Sequence, residues 1–109
     1  MFKIRITVVK RLDASDLAAD FAPEGRTWGL CSHHQEGQVF EVQGSHGGSD
    51  YPCPEGFCSW AWADIQRDVT MLRFGVDMPW IRAQGVAITS CTDGRKPVVF
   101  KLERIEEDA

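Results

Sequence analysis

Cys31, Cys58 and Cys91 are the residues of this chain with the widest chemical repertoire. A thiolate is a nucleophile and a soft metal ligand, while a free thiol is also a small hydrophobe that packs well. The three lie in a loop, at the start of a helix and at the end of a strand. Side chains from separate segments meet at such element ends, so the three sulfurs are expected to approach closely enough to share a ligand. Zinc or another thiophilic metal needs a tetrahedral set, which His33, two residues from Cys31, or Cys53 would complete. The strong zinc signatures carry closely paired cysteines, whereas the close pairs here are Cys31-x-His33 and Cys53-x4-Cys58, a thinner signal. Metal site, reactive thiol and plain packing all remain open at this point.

Cys58 has two opposed claims on it. Backbone N–H groups at a helix N-terminus favour the thiolate and make a nucleophile or ligand. Burial on the apolar face of the same helix would favour the neutral thiol instead. Cys91 is followed by Thr92-Asp93-Gly94, and Asp93 is a candidate acid or base beside it. A turn aspartate is equally explained by hydrogen bonding to its own backbone. His33, His34 and His46 occupy polar stretches where a solvated histidine is the ordinary outcome, and His33 stands out only through Cys31. Nothing in the chain matches a phosphate-binding loop, a dinucleotide fingerprint or a Ser-His-Asp spacing.

The aromatic residues form a second group. Phe57, Trp60, Trp62, Phe74 and Trp80 crowd the middle of the chain. Cys58, Trp62, Ile65, Val69 and Leu72 recur at intervals of four and three, and at about 100° per residue they span an arc of roughly 80°. That stripe predicts a helix over 59–74, with Ser59 as N-cap and Gly75 just past its end. Trp60 sits about 200° from Cys58 on the helical wheel, on the polar face with Asp64 and Arg67. A tryptophan there is expected to stay partly exposed until a ligand, a second subunit or a returning loop covers it. Phe57, Trp60 and Trp80 are accordingly the candidate lining of a ligand pocket.

Four strands must hold these residues in place. Phe2 to Val8 alternates apolar and polar residues with period two, turning Phe2, Ile4, Ile6 and Val8 inward. Residues 38–42 repeat the pattern with Phe40 and Val42 inward. Val86 to Cys91 and Val98 to Ile105 read as a hairpin around Asp93-Gly94, a dipeptide suited to a tight turn with positive φ. Pro97 cannot donate a ladder bond and must stand at the start of its strand. Residues 13–21 predict a short helix, capped by Asp13 or Ser15 and presenting Leu17 and Phe21 on one face. Residues 44–54 are turn-formers throughout. The expectation is a single α+β domain over 1–109, with a mostly antiparallel sheet, one main helix and one minor helix.

Several segments carry a resemblance: Glu36 to Phe40, Pro54-Glu55-Gly56-Phe57-Cys58-Ser59-Trp60-Ala61-Trp62-Ala63-Asp64-Ile65, Cys91-Thr92-Asp93-Gly94, and Pro97 to Ile105. Through them nearly the whole chain resembles a family of small bacterial and archaeal proteins without an assigned activity. The resemblance implies cysteines at the positions of Cys31, Cys58 and Cys91, but no role for them. The chain differs in having Ser32 where a proline often follows the first cysteine, Ser90 where an adjacent cysteine can occur, and a longer glycine-rich stretch with Cys53.

Composition narrows the function classes. Twelve Lys and Arg stand against sixteen Asp and Glu, a formal net charge of −4, so no basic face for nucleic acid is expected. No apolar run approaches the length of a membrane span. Lys3 and Arg5 place charge where a signal peptide needs apolar residues, and four cysteines are too few for a disulfide scaffold, so a cytoplasmic protein is expected. Two readings follow. In one, the cysteines form a metal or reactive-thiol site beside an aromatic-lined pocket for a small molecule. In the other, the chain is a non-catalytic homodimeric interaction module with cysteines in its core and Trp60 at its interface.

Overall fold

In the strand Phe2–Arg11 (β1), the inward residues Ile4, Ile6 and Val8 are buried, as the alternation predicts. The computed structural model describes residues 1–42 and 53–107. The remaining described strands are Val39–Val42 (β2), Val86–Ser90 (β3) and Val98–Glu107 (β4), in sheet order β2-β1-β4-β3 with every pairing antiparallel. Of the turn-forming stretch 44–54, residues 44–52, including His46, lie outside the described residues, and Cys53 and Pro54 lie within them. No helix among the described residues is long and apolar enough to cross a membrane.

The predicted stripe becomes the principal helix, Ser59–Arg73 (α2). Ala61, Trp62, Ile65, Val69 and Leu72 bury against Ile4, Ile6, Val8, Val42, Ala87, Val98, Phe100 and Leu102 of the sheet. The fold is therefore two layers, one antiparallel sheet and one helix, an α+β architecture. The opposite sheet face carries charge in cross-strand ladders, including Lys3–Glu106 at 2.9 Å and Arg5–Glu41 at 3.8 Å.

Two irregularities set the register. Between Val8 and Lys10, β1 gains one residue relative to β4, so Val8 pairs with Phe100 and Arg11 pairs with Val98. Without that bulge Lys10 would share the face of Val8; with it, Arg11 does. A second bulge, between Lys3 and Ile4, shifts only the last pairs, Lys3 with Glu106 and Phe2 with Glu107. Arg104 pairs with Ile4 on the helix side by the plain alternation that also turns Val98, Phe100 and Leu102 inward. Arg104 then reaches the C-terminus of α2, donating to the carbonyls of Val76 at 2.9 Å and Leu72 at 3.5 Å and pairing with Asp77. The helix ends as predicted at Gly75, whose φ of +89° suits a residue without Cβ. Val76 N–H donates to the Met71 carbonyl and Gly75 N–H to that of Leu72, both at 3.0 Å, the paired bonds of a Schellman motif.

Three local expectations are corrected. Cys58, not Ser59, is the N-cap residue of α2, because extended backbone (ψ 122°) persists up to Cys58. The minor helix is a 3-10 turn, Ser15–Leu17, followed by Ala18–Phe21 (α1), in which Leu17 and Phe21 are exposed and only Ala18 is buried. Its start is held by Asp13, whose carboxylate accepts the Ser15 N–H at 2.8 Å. The β3–β4 hairpin is not closed by a two-residue turn, since Gly94 does not have positive φ. Asp93 instead accepts the Arg95 N–H at 2.9 Å, and Cys91 N–H donates to Val98 O at 3.1 Å, leaving residues 92–97 as a wider loop that ends at Pro97.

Leu72 is fully buried in the stripe, and its truncation would leave a void. Leu72→Ala is expected to cost about 2–5 kcal/mol in chemical denaturation. A loss below about 0.5 kcal/mol would contradict the packing described here.

Candidate functional site

The N-terminal end of α2 opens on a cleft of about 630 Å³. Three segments wall it: Cys31 and His34 from the loop before β2, Cys58, Trp60, Ala61 and Asp64 from the helix, and Cys91 to Asp93 with Arg95 and Lys96 from the β3–β4 loop. Val98 and Phe100 add the apolar strand surface. The three cysteines expected to converge thus share one cleft, each of them half-buried and free of disulfide bonds.

Each wall is held by a specific interaction. The Val9 bulge brings Arg11 to the helix-side face, where its Nη1 donates to the Cys31 carbonyl at 3.0 Å. Its Nε and its backbone N–H reach the two Glu36 carboxylate oxygens at 2.9 and 3.0 Å. The Glu36 carboxyl lies below its ordinary range, held there by backbone N–H groups, its own and that of Arg11, and by the guanidinium. On the opposite wall Asp64 accepts the Thr92 N–H at 2.8 Å and the Thr92 hydroxyl at 3.0 Å, tying the β3–β4 loop to the helix. Asp93 fixes Arg95 through Nε at 3.3 Å as well as the backbone. Burial pushes the Asp93 carboxyl up, but the hydrogen bonds from Arg95 outweigh it and hold the group below its usual value. At neutral pH it is therefore a carboxylate that orients Arg95.

His34 is the buried polar residue at the site, only 1% exposed. Its Nε2 accepts the Cys58 backbone N–H at 3.3 Å, and its Nδ1 lies 3.1 Å from the Gln38 side-chain oxygen. These partners define the neutral tautomer with the proton on Nδ1, which donates to Gln38. The ring sits among Phe40, Phe57 and Phe100, with centroids 5.0–5.7 Å away. Burial first, and His33 beside it to a lesser degree, lower its pKa, against a raising contribution from Gln38. The expectation of a solvated loop histidine is therefore corrected for His34. His33 is exposed, and its Nε2 lies 3.1 Å from the Gly56 carbonyl rather than among the cysteines.

The thiols are not equivalent. The Cys91 sulfur accepts the Val98 N–H at 3.3 Å, which turns it toward its own hairpin. The Cys53 sulfur contacts the Phe57 and Pro54 carbonyls at 3.5 and 3.6 Å. The Cys58 sulfur makes no capping hydrogen bond to the helix it precedes. Although Cys31, Cys58 and Cys91 share the cleft, no three His, Cys, Asp or Glu side chains among the described residues assemble as a metal-ligand set. The residues therefore do not fit the zinc set of Cys31, Cys58, Cys91 and His33.

The aromatic candidates separate. Trp60 lines the cleft mouth and is 84% exposed, on the polar face as its spacing predicts. Trp80, 74% exposed, lines a second depression with Met78, Arg67, Asp68 and β3. Phe57 is buried in the core against His34, Trp62 and Phe100. Arg11, His34, Gln38, Arg95 and Lys96 were not among the predicted site residues. Only Asp93-x-Arg95 carried a local signal, an aspartate placed to hold the backbone two residues on.

Comparison of the chain with protein-family models, curated proteins and solved structures finds no match.

The lowered His34 pKa has a definite pH consequence. Unfolded chains take up this proton near pH 6.5 while the folded protein resists until lower pH, so stability rises with pH across that window. Thermal or denaturant unfolding is expected to show full stability above about pH 6.5 and a progressive loss as pH falls through the depressed folded value. Protonation of the hydrogen-bonded carboxylates adds its own loss only at lower pH. His34→Asn should be less stable at pH 7 and should lack the loss that sets in as pH falls below about 6.5. An unchanged pH profile would show that His34 is not held neutral.

Proposed function

We propose that this chain binds a small molecule in the cleft at the N-terminal end of α2 and presents the Cys58 thiol to it as the reactive group. The observation that carries this reading is that thiols from three separate segments line one concave site beside an exposed indole. Cys58 is favoured among them because its sulfur is not committed to capping the helix, whereas that of Cys91 accepts the Val98 N–H. The N–H groups at the start of a fifteen-residue helix bring positive potential to that end, while Arg95 and Lys96 across the cleft stand against the Asp64 and Asp93 carboxylates of the same lining. Trp60 would stack on a planar part of the ligand at the mouth. Free cysteines and the lack of a membrane-crossing helix among the described residues support a cytoplasmic setting, where thiols stay reduced.

The exposure of Trp60 also supports the second reading, a homodimer in which that indole meets a second copy. Trp60→Ala separates the two. For a ligand platform it leaves sedimentation unchanged and weakens binding of small molecules found by screening; for a dimer contact it weakens self-association.

Residue-resolved alkylation tests the thiol assignment. With limiting iodoacetamide at pH 7.5, Cys58 is expected to be carboxamidomethylated on the order of ten-fold faster than Cys91 or Cys53 in the folded chain, and all four at similar rates once unfolded. Equal rates for Cys58 and Cys91 in the folded protein would overturn it.

A further inference from the structure

Cys53 lies outside the cleft lining, yet its side chain is aimed at the cleft thiol's own segment. Residues Pro54 to Phe57 form a β-turn, with Phe57 N–H donating to the Pro54 carbonyl at 3.0 Å and Gly56 at φ +81°. Positive φ at the third position is the mark of a type II turn, and glycine meets it without strain. Such a turn folds the chain back, so Cys53 and Cys58 flank it from either side. The Cys53 sulfur reaches across to the Phe57 carbonyl at 3.5 Å, the peptide group that joins Phe57 to Cys58. Both residues are half-buried and neither is in a disulfide.

From this geometry we infer that Cys58 and Cys53 are a reacting and resolving pair, in which a hydroperoxide oxidises Cys58 and Cys53 closes a disulfide across the 54–57 turn. The inference rests on the reading of Cys58 as the reactive cleft thiol. The Cys58 thiolate attacks the outer oxygen of the hydroperoxide; the O–O bond breaks, an alkoxide or hydroxide leaves and takes a proton, and Cys58 becomes a sulfenic acid. The Cys53 sulfur then attacks the Cys58 sulfur, an S–S bond forms, the S–O bond breaks, and water leaves with the Cys53 proton. In sum, two thiols are oxidised and one hydroperoxide is reduced to an alcohol and water.

The environments suit this division of labour. Burial, and then the neighbouring Cys58 charge, push the Cys53 thiol up, so it rests protonated and donates to carbonyl oxygens until a sulfenic acid forms beside it. A disulfide needs the two Cα atoms about 4.4–6.8 Å apart, a separation that residues flanking a hydrogen-bonded turn can reach with little backbone movement. The bond would tie down the N-cap residue of α2 and remove its thiol from the cleft. Cys31 and Cys91, on the other two walls, are not flanked by such a turn.

The test is oxidation of the full-length chain with a small excess of hydrogen peroxide in the presence of dimedone, followed by peptide mass spectrometry. The expected product is an intramolecular Cys53–Cys58 disulfide, reversed by dithiothreitol, with little dimedone adduct. In Cys53→Ser the disulfide is lost, and the dimedone adduct on Cys58 should rise about ten-fold or more, since the sulfenic acid has no resolving partner. A wild-type chain that accumulates the Cys58 adduct without the disulfide overturns the pairing and leaves the reactive thiol standing. So does a disulfide from Cys58 to Cys31, to Cys91 or to a second chain. If Cys58 resists both peroxide and iodoacetamide, the reactive-thiol reading itself fails.

Discussion

A neutral imidazole joins the two halves of the cleft. His34 accepts the Cys58 N–H at 3.3 Å and faces the Gln38 oxygen through Nδ1, so a single ring spans from the loop before β2 to the first turn of α2. A buried backbone N–H without a partner costs on the order of 1–3 kcal/mol, and here the donor is the N-cap residue of the principal helix. The same ring packs against Phe40, Phe57 and Phe100, so the polar contact is embedded in aromatic core. Displacing His34 would therefore unseat Cys58 and open the core together. The position of the cleft thiol depends on a residue that bears no chemistry of its own in the proposed reaction.

The sheet makes that arrangement available. With β1 and β4 central and β2 and β3 at the edges, the helix lies along one face with an anchored segment at each end. The bulge between Val8 and Lys10 directs Arg11 onto the helix side toward the cleft, while Arg104, inward by the alternation of β4, reaches the helix C-terminus. Arg104 adds a donor to the Leu72 and Val76 carbonyls where the chain leaves the helix. Gly85 beside it has φ +74°, a conformation that favours glycine, and a Cβ there would stand only 3.2 Å from the Arg104 Nε. Arg11 holds the Cys31 carbonyl and Glu36, while Asp64 holds Thr92. The cleft walls are thus set by side chain–to–backbone bonds that brace loops against regular elements, leaving the floor to apolar packing.

Periodicity explains why some of this was legible in the amino-acid order. Ile4, Ile6 and Val8 alternate, and Trp62, Ile65, Val69 and Leu72 repeat at helical spacing; both patterns arise from burial of one face, so they survive in the sequence. The exposure of Trp60 followed from the same wheel. A bulge has no such signature, which is why the inward turn of Arg11 could not be read. The inward turn of Arg104 was masked because a charged residue stands where the alternation of Val98, Phe100 and Leu102 calls for an apolar one. His33 and His34 are adjacent and equally polar in type, and only the fold decides that the second is buried and the first meets Gly56. At Asp93-Gly94 the local preference for a tight turn yielded to an aspartate holding the Arg95 N–H. Leu17 and Phe21 share a helical face, but no layer of the fold lies opposite them.

The account turns on His34 being a neutral Nδ1–H imidazole that accepts the Cys58 N–H. Long-range ¹H–¹⁵N correlation spectra of the histidine rings, recorded from pH 7.5 down to the onset of acid unfolding, measure this directly. The expected result is a protonated Nδ1 and an unprotonated, hydrogen-bonded Nε2 for His34, persisting below pH 6.5, the ordinary histidine value. An Nε2–H tautomer, or an imidazolium already formed in the folded protein at or above pH 6.5, would contradict the bond on which the cleft is built.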